Sequence, residues 1–117
     1  CVASNGERTN VKMSLSMLGF DPYFSDDTIF TKIQVEQAKP APDLFLFAAK
    51  TMGIDPARCL VIEDSPTGVA GGKAANMEVW GFIGTAHNKT RQIKILEKAG
   101  ADKIIMDFIH IHEQLSV

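Results

Sequence analysis

The sequence predicts an α/β domain with a parallel sheet, laid out as a Rossmann-like three-layer sandwich. Three observations carry this. Short apolar runs alternate with stretches of helical periodicity along all 117 residues, the signature of βαβ units. One run, Cys59-Leu60-Val61-Ile62, is continuously apolar, as expected for a parallel strand covered on both faces. Clusters of hydroxyls, carboxylates and a lysine recur where these runs end, and open α/β sheets bind ligands outside the carboxyl ends of their strands.

The elements follow in order. Cys1 to Ser4 reads as a first strand already under way at residue 1, and Asn5-Gly6 turns out of it. From Glu7 to Leu18, Val11, Leu15 and Leu18 fall at helical spacing, and Gly19 supplies the C-terminal cap. Thr28 to Thr31 is a short second strand. Lys39-Pro40-Ala41-Pro42 is a stiff loop, because two prolines so close forbid helix. Asp43 is placed as the cap of a helix running to Met52, with Leu44, Phe47 and Ala48 on one face, and Gly53 stops it.

After the third strand, Cys59 to Ile62, Ser65 reads as an N-cap with Pro66 in the first helical turn. That helix runs to Ala75, and Asn76 takes the left-handed position. Gly71-Gly72 within it would each cost about 1 kcal/mol relative to Ala, so close packing against a strand is expected there. Glu78 to Phe82 is the next strand. A helix from Thr90 to Ala99 turns Ile93 and Leu96 inward and ends at Gly100. Lys103 to Met106 is the last strand, and Asp107 caps a final helix with Phe108, Ile111 and Leu115 inward. Residues 1–117 read as one unit with no repeats and no linker.

Composition narrows the function classes. Hydrophobic residues at 45% and charged residues at 22% place the chain among globular proteins. A net charge of −2 leaves no general basic face, so nucleic acid is not an expected partner. No window reaches the apolar length of a membrane span and none reads as a signal peptide, so no membrane partner and a cytoplasmic location are expected. The two cysteines, Cys1 and Cys59, are both placed on buried strands, as reduced core thiols and not as a disulfide framework.

Three polar clusters share the expected crevice. Ser4-Asn5-Gly6 follows the first strand, Lys39 lies in the loop after the second, and Glu63-Asp64-Ser65 follows the third. Each has an ordinary explanation alone: a turn, a solvated loop lysine, a helix start. Together they supply hydroxyl and amide donors, one cation and two carboxylates. That set suits a phosphate bound with a hard divalent cation.

Ser-Asn-Gly after a strand, Lys-Pro-x-Pro-Asp-x-Phe from Lys39, and Val-Ile-Glu-Asp-Ser-x-x-Gly-Val from Val61 resemble motifs two to four of haloacid dehalogenase-like phosphatases. The likeness is greatest to the branch containing β-phosphoglucomutase and sugar-phosphate phosphatases. Ala74-Ala75-Asn76-Met77 and Ala99-Gly100-Ala101-Asp102 fit that branch too. The resemblance covers essentially the whole chain and implies the C-terminal part of such a core domain. Carried onto these residues, it has Ser4 hydrogen-bond the phosphoryl oxygens, helped by Asn5 and the backbone around Gly6. Lys39 would neutralise phosphate charge and orient the nucleophile. Asp64 would bind Mg²⁺, with Glu63 a direct ligand or one layer behind.

The family's first motif, Asp-x-Asp-x-Thr/Val, does not occur in this sequence, and neither does its helical cap domain. The resemblance therefore implies a Mg²⁺-dependent phosphatase of a small phosphorylated metabolite, a sugar phosphate, working through an aspartyl-phosphate. Its nucleophile would lie on an N-terminal segment of the same polypeptide, and these residues alone would be inert. In the family that nucleophile strand sits between the strands of Ser4 and Asp64. Two half-sheets roughly 10 Å apart, about two inter-strand spacings, and no stable isolated monomer are expected without it. Two other readings stand beside this one. A mutase of the β-phosphoglucomutase type shares these motifs. A non-catalytic receiver-like module also pairs adjacent acids with a lysine, but places the acids after its first strand, not its third.

Overall fold

The computed structural model describes residues 1–115. Five strands are formed: β1 (Val2–Ser4), β2 (Ile29–Thr31), β3 (Leu60–Glu63), β4 (Glu78–Phe82) and β5 (Lys103–Ile105). Five α-helices alternate with them: α1 (Arg8–Met17), α2 (Asp43–Met52), α3 (Pro66–Ala74), α4 (Lys89–Ala99) and α5 (Phe108–Leu115). All strand pairs are parallel. They make two sheets, β1–β2 and β3–β4–β5, with no ladder between β1 and β3. This is the two-half-sheet arrangement expected from the sequence. No helix among the described residues is long and apolar enough to cross a membrane.

The main core gathers Val61 and Val79 from the larger sheet with Val69, Leu96 and Ile83. A smaller cluster joins Phe30 of β2 to Leu44 and Ala48 of α2. Helix α2 serves both, because Phe45 and Ala49 on its other side belong to the main core. The single apolar face of Leu44, Phe47 and Ala48 is thereby corrected: a helix that packs on the β1–β2 sheet on one side and on α3 on the other needs two apolar faces. Phe47 is half-buried and meets Phe30 edge to face, with ring centroids 5.7 Å apart.

Several local signals act as the sequence predicts. Gly53 and Gly100 are left-handed helix caps, and Asn76 has φ 60°. Ser65 accepts from the Gly68 N–H at 3.1 Å, and Asp107 accepts from the His110 N–H at 2.7 Å. A Cβ on Gly72 would lie 2.6 Å from Val79 Cγ2, so only glycine lets α3 approach β4 this closely.

Other expectations are overturned. Strand β3 is not covered on both faces: Val61 is buried, but Ile62, on the opposite face, is 42% exposed because no layer covers it there; β3 is also an edge strand. Cys1 is exposed, so it is not a core thiol; Cys59, half-buried, packs against the edge of the main core; both are free and lie just outside the strands. On α5, Phe108 is 77% and Leu115 52% exposed; of the three residues expected to face inward, Ile111 alone is half-buried. Phe108 lies against a single ring, Phe82, with centroids 5.0 Å apart. Asp43 is the first residue of α2 and not its cap, a position held by Pro42. The Asp43 carboxylate instead accepts from the Gln37 N–H at 3.2 Å. Helix α4 starts one residue before Thr90, capped by Asn88, whose side chain accepts from the Arg91 N–H at 3.0 Å.

Candidate functional site

A cavity of about 480 Å³ opens at the carboxyl ends of β1 and β3. Ser4, Asn5, Gly6, Lys39, Glu63 and Asp64 all line it, with Ser65, Thr67, Phe82 and Thr85. Parallel pairing within each sheet brings the strand ends to one side, so residues far apart in sequence meet there.

Lys39 stands at the junction of the sheets. Its ammonium donates to the Ala3 carbonyl of β1 at 2.8 Å and forms an ion pair with the Glu63 carboxylate of β3. The two side chains are 8% and 12% exposed. The ammonium also lies 4.9 Å from the centre of the Phe45 ring. A cation this far from water persists only when paired and hydrogen-bonded. The carbonyl, the carboxylate and the ring face meet that requirement.

Asn5 fixes the lysine from behind. Its Nδ2 donates to the Lys39 carbonyl and its Oδ1 accepts from the Lys39 N–H, both at 3.1 Å. Both amide atoms are thus committed to holding the Lys39 backbone, which is a positioning role the motif alone did not suggest. The Gly6 N–H donates to Ser4 Oγ at 3.0 Å. That bond leaves the Ser4 hydroxyl proton available to a ligand.

Glu63 is boxed in. Ser65 Oγ donates to its Oε2 at 3.4 Å, while Lys39 holds its Oε1. Gly68 of α3 lies directly beside it, where a Cβ would come 2.1 Å from the carboxyl carbon. Asp64, next along the chain, is exposed, and its carboxylate has no partner among the described residues. Its carbonyl accepts from Gln92 Nε2 at 3.0 Å, which ties the loop to α4.

Among the described residues, no three His, Cys, Asp or Glu side chains are grouped to hold a metal ion. Adjacent carboxylates at a strand end still fit Mg²⁺, which is commonly held by one or two carboxylates with water and substrate phosphate completing its shell. Asp64 is free for this, whereas Glu63 is engaged with Lys39. Chemically, the cavity offers a buried cation, a free hydroxyl and an unpaired carboxylate to a phosphoryl group.

Gln92, Thr67, Phe82 and Thr85 were not singled out from the sequence. Phe82 ends β4 and Thr85 follows it closely, so the strand-end rule would have flagged both. Gln92 reaches Asp64 from 28 residues away, and no local signal announces that.

The sequence model of the family described as haloacid dehalogenase-like hydrolase matches residues 1–76. The 6-phosphogluconate phosphatase of Escherichia coli is 36% identical over 89 residues, covering 76% of this chain and 40% of that protein. The β-phosphoglucomutase of Mycobacterium bovis is 31% identical over 112 residues, covering 94% of this chain and 42% of that protein. A crystal structure of a hydrolase from Deinococcus radiodurans, with bound phosphate and sodium, aligns with a TM-score of 0.87 at 33% identity, over 97% of this chain and 50% of that one. The chain thus spans less than half the length of the two curated relatives.

Proposed function

Because the chain belongs to the haloacid dehalogenase-like hydrolases, we propose that its complete polypeptide is a Mg²⁺-dependent phosphatase acting on a small phosphorylated metabolite, a sugar phosphate in class. One observation carries this reading: a buried lysine bridges two sheets at their carboxyl ends, in a polar cavity it shares with Ser4, Asn5, Gly6, Glu63 and Asp64. The names of the relatives, which include a sugar-acid phosphate phosphatase, and the phosphate bound in the Deinococcus radiodurans structure support it.

The roles follow from placement. Ser4 donates its hydroxyl proton to a phosphoryl oxygen. Lys39, held by Asn5 and Glu63, offsets the charge that gathers on the phosphoryl oxygens during transfer. Fixed charges of this kind are most of what a phosphoryl-transfer enzyme contributes. Held by Asp64, with Glu63 beside it, Mg²⁺ would supply further charge neutralisation and hold the phosphoryl group in line.

The nucleophile is assigned to a strand seated between β1 and β3. A groove of about 270 Å³ there is walled by Ala3, Phe45, Val61 and Ile62. An apolar strand in it would satisfy the open edges of both sheets. A carboxylate at its end would face Lys39. That carboxylate attacks phosphorus, the ester P–O bond breaks, and an acyl phosphate forms while the leaving oxygen takes a proton from a second acidic side chain of that strand and departs as the alcohol. Water then cleaves the acyl phosphate, releasing inorganic phosphate and regenerating the carboxylate. Without that strand the present residues are inert.

The test is phosphate release from a panel of sugar phosphates by the complete polypeptide, across a Mg²⁺ titration. Asp64→Ala should abolish turnover and weaken Mg²⁺ binding. Unchanged turnover at limiting Mg²⁺ would overturn the assignment. The β-phosphoglucomutase relative covers 94% of this chain and motivates a second readout. Formation of an isomeric phosphosugar without phosphate release would favour a mutase.

A further inference from the structure

We propose that the hollow beside the phosphate cavity is a second subsite, which holds an anionic group at the far end of the substrate, with Arg91 as its specificity-determining residue. The inference rests on the phosphatase reading and adds the chemistry of the substrate's other end.

The hollow measures about 470 Å³ and lies between the loop after β4 and the first turn of α4. It shares Asp64, Phe82 and Thr85 with the phosphate cavity, so the two are continuous. Phe82 forms an apolar surface common to both, suited to the carbon chain or ring of a sugar. Beyond it stand His87 and Arg91. Both side chains are exposed, and neither has a hydrogen bond or ion pair among the described residues. The Gln92 to Asp64 hydrogen bond of 3.0 Å fixes α4 against the phosphate side, so the distance between the two subsites is set by the fold.

The sequence of α4 departs from ordinary helix design here. Carboxylates favour a first helical turn and cations disfavour it, because the unpaired N–H groups make that end positive. The first turn of α4 has no acidic residue, and it carries Lys89 and Arg91 instead. Lys89 has a structural explanation: its ammonium reaches the carbonyls of Ile83 and Ala86 at 3.2 and 3.3 Å and closes the loop. Arg91 has none. A cation placed against the helix field without a partner is a local rule broken, and such breaks concentrate at functional sites. An incoming anion would satisfy the Arg91 guanidinium, whose planar fork matches a carboxylate or phosphate.

Three substrates on one carbon skeleton test this with the complete polypeptide: glucitol 6-phosphate, 6-phosphogluconate and glucitol 1,6-bisphosphate. Their far ends are an alcohol, a carboxylate and a phosphate. The two anionic substrates should be preferred in kcat/KM by about ten- to a hundred-fold, the worth of a charge-assisted hydrogen bond. The arm with the larger preference identifies the anion. Arg91→Ala should erase the preference through KM and leave glucitol 6-phosphate within twofold, while Arg91→Lys should keep part of it. Equal losses on all three substrates, or none, would overturn the subsite. If no substrate releases phosphate, the phosphatase reading fails separately, and calorimetric titration of the same three compounds decides the subsite. Tighter binding of the anionic pair that Arg91→Ala removes supports it; equal binding refutes it.

Discussion

Replacing Gly68 by Ala should separate the geometry of the site from the stability of the fold. A Cβ at Gly68 would lie 2.1 Å from the Glu63 carboxyl carbon and one carboxylate oxygen, and 2.4 Å from the other. Carbon contacts are comfortable at roughly 3.5–4.0 Å, so the carboxylate must retreat by about 1.5 Å. The backbone has little to do, because the obstructing group is the end of a flexible side chain. Alanine also gains up to about 1 kcal/mol of helix propensity over glycine. Against this, Lys39 loses part of the partnership that compensates its burial. Complete removal of one partner from a buried pair costs about 3–5 kcal/mol, and displacement costs a fraction of that. The net stability change should therefore fall between zero and about 3 kcal/mol. Turnover should fall more sharply, by about a hundredfold, as expected when a residue that positions Lys39 moves by about an ångström. Phosphate release and urea unfolding of the complete polypeptide read the two effects side by side. Wild-type turnover and Mg²⁺ dependence in Gly68→Ala would refute the placement of Glu63 as a group that acts.

Two further predictions address the scaffold. The Asp102 carboxylate accepts from Lys73 Nζ at 2.8 and 3.0 Å and from the Val79 N–H at 2.8 Å. The Lys73 hydrogen bond first, and the Val79 amide second, hold its pKa below the ordinary aspartate value. A lowered folded pKa means that its stabilisation is complete above the unfolded value of about 3.9 and is lost as pH falls through the folded one. Urea unfolding should therefore show Asp102→Asn to be destabilising at pH 7, with the deficit shrinking as acid protonates Asp102 in the folded state; a deficit that does not shrink with falling pH would refute this. Residues 1–117 in isolation should self-associate and bind hydrophobic dyes without cooperative unfolding, because β1 and β3 present unpaired edges and Ile62 is 42% exposed. A monodisperse monomer with one sharp transition would contradict that.

Much of the architecture was legible because local signals and global fold agree. The Ser65-Pro66 start of α3, the glycine caps and the strand-end clusters each have a mechanism confined to a few residues. The failures share another cause. Ile62, Phe108 and Leu115 are apolar residues in good periodic patterns, yet pattern cannot tell whether a neighbouring layer is present to cover them. Phe45 was missed because its helix was given one apolar face, whereas α3 packs on the other side of it. The site divides the same way. Its membership could be read, since Ser4, Lys39, Glu63 and Asp64 sit at strand ends or in the adjoining loop. Its wiring could not. The Asn5–Lys39 clamp spans 34 residues and the Lys39–Glu63 pair spans 24, so both exist only once the sheets are assembled.

The most direct test of the account is Lys39→Met in the complete polypeptide, with Glu63→Gln combined to remove the stranded carboxylate. Methionine keeps the length of the stem and removes the charge. Both variants should lose about 10²–10³ in kcat, the usual cost of one fixed group that stabilises transition-state charge. The double variant should recover folding stability relative to the single one. Wild-type phosphate release by the folded double variant would contradict the claim that a buried lysine between the sheets is the electrostatic centre of this site.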